Sequence, residues 1–490
     1  MVEEGARGAP GVVEAGARGA RLGTSHVVVV GGGIAGVAAA HRLRTLRPDL
    51  RVTLFEGAPE LGGKLALGEV GGVVTDIGAE AILARRPEGV ALAREVGLAE
   101  DVVHPETISA RLWTRGEMRV MPRSLMGVPA DVASMSEVVS KAGLTRAALD
   151  AVLPPTRLAA DEDVSVGALV GERLGKEVVD RLVEPMLGGV YAGHSRELSA
   201  RAAVPGLVAR LDGEHSLTAA AAEAMTGPAD PDETPPPVFA GIAGGVGRLP
   251  QAVAASGGAT VETDAMVRSL RRTAEGWQLE VGPTRSPRRV RCDAVVLATP
   301  ARSTARLLKQ AAPVAARELD GVEYASMAVV TLAFAGRDLP ATTGSGFLVP
   351  PVDGRSVKGA TYSFAKWGWV ADAGRPGDVR LLRCSIGRHR EEHVLQVSDE
   401  ELVDFALRDL ADAVGLSVRP VDDHVKRWGG GLPQYAVGHV TRVEQVRTAL
   451  LAVPGVAVCG AAYDGVGIPA CIASAHRAVD KVLADLGDET

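Results

Sequence analysis

The stretch HVVVVGGGIAG, residues 26–36, decides how the rest of the chain is read. The valine run after His26 suits a strand buried on both faces. The turn that follows carries Gly31, Gly33 and Gly36 in the G-x-G-x-x-G spacing, with Gly32 between them. Gly31 permits the tight turn, and Gly33 lets backbone N–H groups approach a pyrophosphate. Gly36 lets the next helix pack on the strand. Apolar residues at helical spacing from Ile34 to Leu46 predict that helix, and its N-terminus favours an anion. The next strand, RVTLFE, ends on Glu56, 20 residues past Gly36. A carboxylate there accepts hydrogen bonds from a ribose 2′-hydroxyl and repels a 2′-phosphate, which favours FAD or NAD over NADP.

The chain has 490 residues, too many for one compact core, and its length points to roughly two to four domains. A net charge of −7 argues against nucleic acid and against an anionic membrane surface as the main partner. The one long apolar run, His26–Ala40, is short of the roughly 20 residues of a membrane-spanning helix and is broken by glycines. Residues 1–24 lack a basic start followed by an apolar core, so they read as a disordered tail and not a signal peptide. Cys292, Cys384, Cys459 and Cys471 show no zinc-like pairing and no disulfide framework. Reduced, buried thiols and a cytoplasmic location follow.

Further along, residues 86–205 read as largely helical, from segments such as MSEVVSKAGL and VGERLGKEVVDRLVEPML. GPADPDETPPPVF, residues 227–239, reads as a proline-rich acidic linker. Residues 320–430 look strand-rich. The nucleotide-fold pattern returns near 240–310 and again at the C-terminus. There CGAAYDGVGIPACIASA, residues 459–475, gives a strand end, a glycine-rich turn and a helix start. A nucleotide-binding domain assembled from 25–85, 240–310 and 445–490 is expected. Residues 86–205 then form a helical domain, and 206–239 with 311–444 a substrate-binding domain. HREEH, residues 389–393, matches an inverted zinc-peptidase pattern only if it is helical, and it reads better as a charged lead-in to the next helix. No metal site is expected. Trp367, Trp369 and Trp428 suit packing or a pocket wall.

Two levels of resemblance sharpen this picture. LGGK (61–64), CDAVVLATP (292–300) and the C-terminal turn resemble the FAD-binding fold of glutathione-reductase type, in its amine-oxidase-like branch. VEPMLGGVYAGHSRELSARAAVPGL (183–207), GGVGRLPQAVA (244–254), SFAKWG (363–368), LPQYAVGH (432–439) and YDGVGIPACIAS (463–474) resemble, in order, the protoporphyrinogen and coproporphyrinogen oxidases. The fold implied is mixed α/β: a Rossmann-like FAD domain built from distant segments, an antiparallel-sheet substrate domain and a helical domain. The reaction implied is a six-electron oxidation of a porphyrinogen, with FAD passing electrons to O2 and releasing H2O2.

The resemblance also implies site residues. Gly31, Gly32, Gly33, Ile34, Ala35 and Gly36 hold the pyrophosphate, and Glu56 binds the adenosine ribose. Lys64, Gly78, Ala79, Glu80 and Ala81 lie along the flavin, and Val267 meets the adenine through its backbone. Val466, Gly467 and Ile468 close the flavin end, and Gly57, Gly63 and Trp428 complete the cofactor set. Ala79 replaces a common proline and Ala475 a common glycine. Arg111, in ARLWTRGEMRVMP, matches an arginine assigned to a substrate propionate, with Arg85 and Arg86 as further candidates. Arginine outnumbers lysine 45 to 8, which resembles GC-rich bacterial genomes and suggests an actinobacterial-like source, where the heme route generally runs through coproporphyrin. Coproporphyrinogen III is therefore the expected substrate. The alternatives are protoporphyrinogen IX, another amine-oxidase-like reaction and a non-catalytic flavin-binding partner. Aromatic residues are 3% of the chain, which disfavours an amine guided between rings. A monomer or homodimer, a peripheral membrane contact and hand-over of product to the next enzyme are all compatible with the resemblance.

Overall fold

His26–Val30 (β1) is the middle strand of a five-stranded parallel sheet in the computed structural model, which describes residues 24–226, 237–340 and 342–487. The tail read over 1–24, save its last residue, and most of the linker over 227–239 lie outside the described residues. Arg51–Phe55 (β2) and Ala294–Leu297 flank β1, with Thr260–Glu262 and Val456–Val458 at the edges. Both faces of the sheet are covered, which is why β1 needs apolar residues without alternation. Val27 and Val29 face a core with helix Ile34–Leu46 (α1), helix Arg248–Ser256 and the last helix, Ile468–Leu486. Val28 and Val30 face a second core, under an antiparallel three-stranded sheet and helices Pro313–Asp320 and His439–Leu451.

A seven-stranded sheet forms the other half. Its order is Asp422–Pro433, Tyr324–Ala335, Val379–Ile386, Val357–Thr361, Gly346–Leu348, Ala110–Thr114 and Glu117–Val120. Every pair is antiparallel except Gly346–Leu348 with Ala110–Thr114. Alternate residues go to opposite faces. Ala328, Val330, Leu332 and Phe347 enter a core beneath helix Asp399–Val414, and Met327, Val329 and Leu348 point the other way. A helical layer, with Val166–Leu174 and Glu184–Tyr191 at its centre, packs on that second side through Leu112, Leu187 and Tyr435.

The structure corrects several expected boundaries. Residues 110–120 are a hairpin of the large sheet, not part of a helical run. Arg115 and Gly116 both take positive φ, 57° and 78°, the conformation a tight two-residue hairpin requires. Helix Leu217–Met225, expected with the substrate sheet, buries Leu217, Ala220 and Ala221 in the helical layer's core. Helices Pro313–Asp320 and His439–Leu451 pack in the nucleotide half, so edges at 310 and 445 cut through packed structure. HREEH does not form one helix: Arg390 has φ 66° and only a short 3-10 turn, Glu392–Leu395, follows. His389 and His393 therefore share no helical face.

Candidate active site

The turn after β1 is shaped by close backbone approach. A Cβ on Gly36 would stand 1.8 Å from the Gly31 carbonyl oxygen, so α1 touches the turn in a way no side chain allows. Gly31 itself has φ 107°. Gly33 caps α1 without a side-chain bond, and Gly467 caps the last helix in the same bare fashion. Unpartnered N–H groups at both helix starts carry the positive ends of the helix dipoles. Both starts open on one cavity of about 580 Å³, through Gly33 and Ile34 at one and Val466 and Ile468 at the other.

Glu56 also lines this cavity. Its Oε2 accepts from Gly32 N at 2.5 Å and its Oε1 from Ala58 N at 2.8 Å. A carboxylate has about four acceptor positions, so two remain for hydroxyl groups of a ligand. Gly31, Ala35, Gly57, Gly63, Lys64, Ala79 and Val267 line the cavity too. Gly32, Gly36 and Gly467 do not line it, although each adjoins a residue that does. Space for a Cβ is open at Gly33, with no atom within 4 Å on that side, as a cradle for a phosphate requires. The bare helix starts, the paired carboxylate and the open cradle all fit FAD.

A second cavity, of about 350 Å³, adjoins the first. Lys64, Ala79, Gly431 and Leu432 line both. Burial pulls the Lys64 ammonium below its ordinary pKa, against the opposing charge of Glu56. Gly78, Glu80 and Trp428 line the second cavity, beside Met327, Leu348 and Arg383 from the large sheet. The backbone packs closely at Gly78 as well: a Cβ there would meet the Lys64 carbonyl oxygen at 2.0 Å.

Glu80 is the best-fixed charge of the second cavity. Its Oε1 binds Lys366 Nζ at 2.6 Å and its Oε2 binds Arg383 Nη1 at 2.7 Å. Burial alone would raise its pKa, but Lys366 and Arg383 outweigh burial and hold the carboxyl at about 2. Glu80 is thus an ionised anchor at neutral pH and not a proton acceptor. Asp76, four residues earlier, is pushed up to about 6 by burial, against hydrogen bonds of 2.9 Å from Val246 N and Gly247 N. The GGVGRLP segment is therefore a brace for the strand that leads to Glu80.

Not every expected residue reaches a cavity. Ala81 packs beside Trp367 in a small apolar core. Arg85 is exposed and Arg86 pairs with Glu88 at 2.6 Å; neither lines a cavity. Arg111 shares a face of its strand with Trp113, which packs in the core beneath helix Asp399–Val414, and it does not line the second cavity. The residues that sequence reasoning missed are Arg383, Lys366 and Met327. Arg383 left a signal, a basic residue at a buried position of the strand VRLLRCSI. Its target, Glu80, was expected along the flavin, but nothing in the sequence announced their pairing over 303 residues.

The chain is similar to known proteins over most of its length. The family described as flavin containing amine oxidoreductase matches residues 34–483. A coproporphyrinogen III oxidase of Mycobacterium tuberculosis is 37% identical, covering 94% of this chain and 97% of its own length. A protoporphyrinogen oxidase of Bos taurus is 30% identical, covering 93% and 98%. A crystal structure from Exiguobacterium sp. 255-15 superposes with a TM-score of 0.82 at 29% identity, covering 95% of this chain and 99% of that one.

Proposed function

The chain belongs to the flavin-containing amine oxidoreductase family, and on that premise we propose that it is the FAD-dependent oxidase that converts coproporphyrinogen III to coproporphyrin III in heme synthesis. The observation that carries the substrate is the near full-length likeness to a coproporphyrinogen III oxidase, closer than that to the bovine protoporphyrinogen oxidase. The junction of the two cavities at Lys64, Ala79, Gly431 and Leu432 supports the reaction type, because it brings a cofactor and a bulky substrate into contact.

The overall change removes six hydrogens from the porphyrinogen and reduces three O2 to three H2O2. Bound FAD supplies hydride acceptance and reactivity with oxygen. The chain supplies the rest. The starts of α1 and the last helix would hold the pyrophosphate and the flavin end, Glu56 would take the ribose, and Val267 would border the adenine. Gly57, Gly63, Lys64 and Ala79 would lie along the cofactor, with Gly78, Glu80 and Trp428 at the substrate side. Enclosure between the large sheet and the helical layer holds a flat macrocycle and excludes water.

We assign the parallel sheet to a dinucleotide-binding domain of glutathione-reductase type, assembled from 25–85, 240–320 and 439–487. Among the described residues no helix is long and apolar enough to cross a membrane. The reading puts the enzyme in the cytoplasm, as a monomer or homodimer that hands its product to the next enzyme of the pathway. The test is an aerobic assay of the yellow protein with coproporphyrinogen III and protoporphyrinogen IX in separate reactions, followed by porphyrin fluorescence. Faster oxidation of coproporphyrinogen is expected. A preference for protoporphyrinogen overturns the substrate, and inertness toward both with FAD bound overturns the reaction.

A further inference from the structure

The charges around the second cavity are unevenly matched. Arg383 is compensated, since its guanidinium meets Glu80 and the Gly78 carbonyl oxygen. Lys358 and Arg388 are compensated only weakly. Lys358 is 2% exposed and Arg388 is 5% exposed. Lys358 Nζ donates to the Gly387 carbonyl oxygen at 2.6 Å, and Arg388 Nη2 donates to the Val349 carbonyl oxygen at 3.3 Å. Neither bond supplies a negative charge. The nearest carboxylate, Glu391, is 4.0 Å from Arg388 Nε and 41% exposed, and Glu184 is engaged by Ser195 and Arg196. Two neighbouring buried cations, whose one buried carboxylate, Glu184, is already shared with Ser195 and Arg196, are costly to fold unless a further anion joins them.

Their position says where that anion comes from. Met327 lines the second cavity, and its Sδ is 4.0 Å from Lys358 Nζ. Gly359, next to Lys358, lines the same cavity, as does Leu348, next to Val349. On the helical side, a Cβ on Gly188 would stand 2.9 Å from Arg388 Nη1, and the following Gly189 is again a cavity wall. The pair thus sits directly behind Met327, Leu348, Gly359 and Gly189, walls that the cofactor cavity does not share. Met327 is unbranched and adaptable, so it yields to a ligand arm more readily than a β-branched residue would.

We propose that Lys358 and Arg388 form an anion subsite at the end of the second cavity remote from the cofactor, and that it takes a carboxylate arm of the substrate. The inference rests on the porphyrinogen reading above, and it replaces Arg111, Arg85 and Arg86 as the cations of the substrate site. Lysine gives a point charge and arginine a fork, a combination suited to a flexible propionate. Burial, with Arg388 adding repulsion and Glu391 opposing, brings Lys358 down to about 7. A carboxylate guest would hold its proton on. Substrate should therefore bind more weakly as pH rises through about 7.

The experiment uses flavin-loaded protein with Lys358→Met, Arg388→Met and the double change, each assayed with coproporphyrinogen III and protoporphyrinogen IX. KM for coproporphyrinogen is expected to rise about tenfold or more, the size of a lost charged hydrogen bond, with kcat and flavin content little changed. Wild-type KM should climb above pH 7, and Lys358→Met should flatten that climb. Arg388→Lys, which keeps the charge, should recover part of the loss and serves if the methionine variant does not fold. Unchanged KM in the flavin-loaded Lys358→Met protein overturns the subsite, as does a fall in kcat and Tm with KM and its pH profile intact. Wild-type inertness toward both porphyrinogens would overturn the functional reading itself.

Discussion

The two cavities are built by different means. The first is made of backbone: a glycine turn, two bare helix starts and a carboxylate held by Gly32 and Ala58 N–H groups. The second is made of side chains brought together from distant segments: a loop carries Glu80, a strand of the large sheet Arg383 and a short helix Lys366. Glu80 reaches Arg383 over 303 residues and Lys366 over 286. A backbone site tolerates almost no change in residue size and depends little on charge. A side-chain site tolerates changes in shape and depends on matched charges.

The largest expected effect lies in the first cavity. Gly36→Ala forces a methyl group to within 1.8 Å of the Gly31 oxygen, so β1 and α1 must separate. We expect protein without flavin and a loss of about 3 kcal/mol or more, at the upper end of overpacking costs. Absorbance at 450 nm relative to 280 nm and a thermal melt measure it. A yellow Gly36→Ala protein with wild-type Tm would break the contrast. Next comes Glu80→Gln in the second cavity. The Glu80 carboxyl is held at about 2, below its ordinary 4.5, so its contribution is fully present above pH 4.5 and is lost as pH falls toward 2. That shift amounts to about 3 kcal/mol as an upper value. Glu80→Gln should lower stability at pH 7 and remove this acid-induced loss between pH 4.5 and 2. An unchanged acid profile would show that the ion pairs carry nothing. Smaller still, Glu56→Gln keeps the shape but removes the charge, and about tenfold weaker FAD binding by the apoprotein is expected, from one weakened charged hydrogen bond. Equal affinity would mean that the ribose does not meet Glu56.

The same contrast explains what the sequence made legible. β1, α1, β2 and Glu56 are contiguous, and each residue's role follows from local geometry. The C-terminal turn was legible for the same reason, since Gly467 and Ile468 announce a helix start on their own. The large sheet was not, because its outer strand pair comes from inside a run of helical patterns. Ala110–Thr114 has only five residues and pairs with Gly346–Leu348, more than 230 positions later, a register that no local pattern encodes. Arg115–Gly116 was a readable hairpin turn, but the surrounding helices masked it. Lys358 and Arg388 lie in strand and loop sequence that looks ordinary, and only their joint burial distinguishes them.

The smallest effect belongs to Arg111, and it is the sharpest test of register. A family arginine in its motif assigned it to a propionate. Alternation along Ala110–Thr114 puts Leu112 into the helical-layer core and Trp113 into the opposite core, and Arg111 goes with Trp113. Its Nη1 is 3.5 Å from Thr343 Oγ1, at the limit of a hydrogen bond. A one-residue slip of this strand would turn Arg111 toward the cavity and Leu112 away from it. Arg111→Ala should therefore leave KM for coproporphyrinogen III within about twofold of wild type, inside the scatter of a surface substitution of ~0.5 kcal/mol. A rise comparable to that of Lys358→Met would mean that the strand has slipped and that the propionate site lies on its other face.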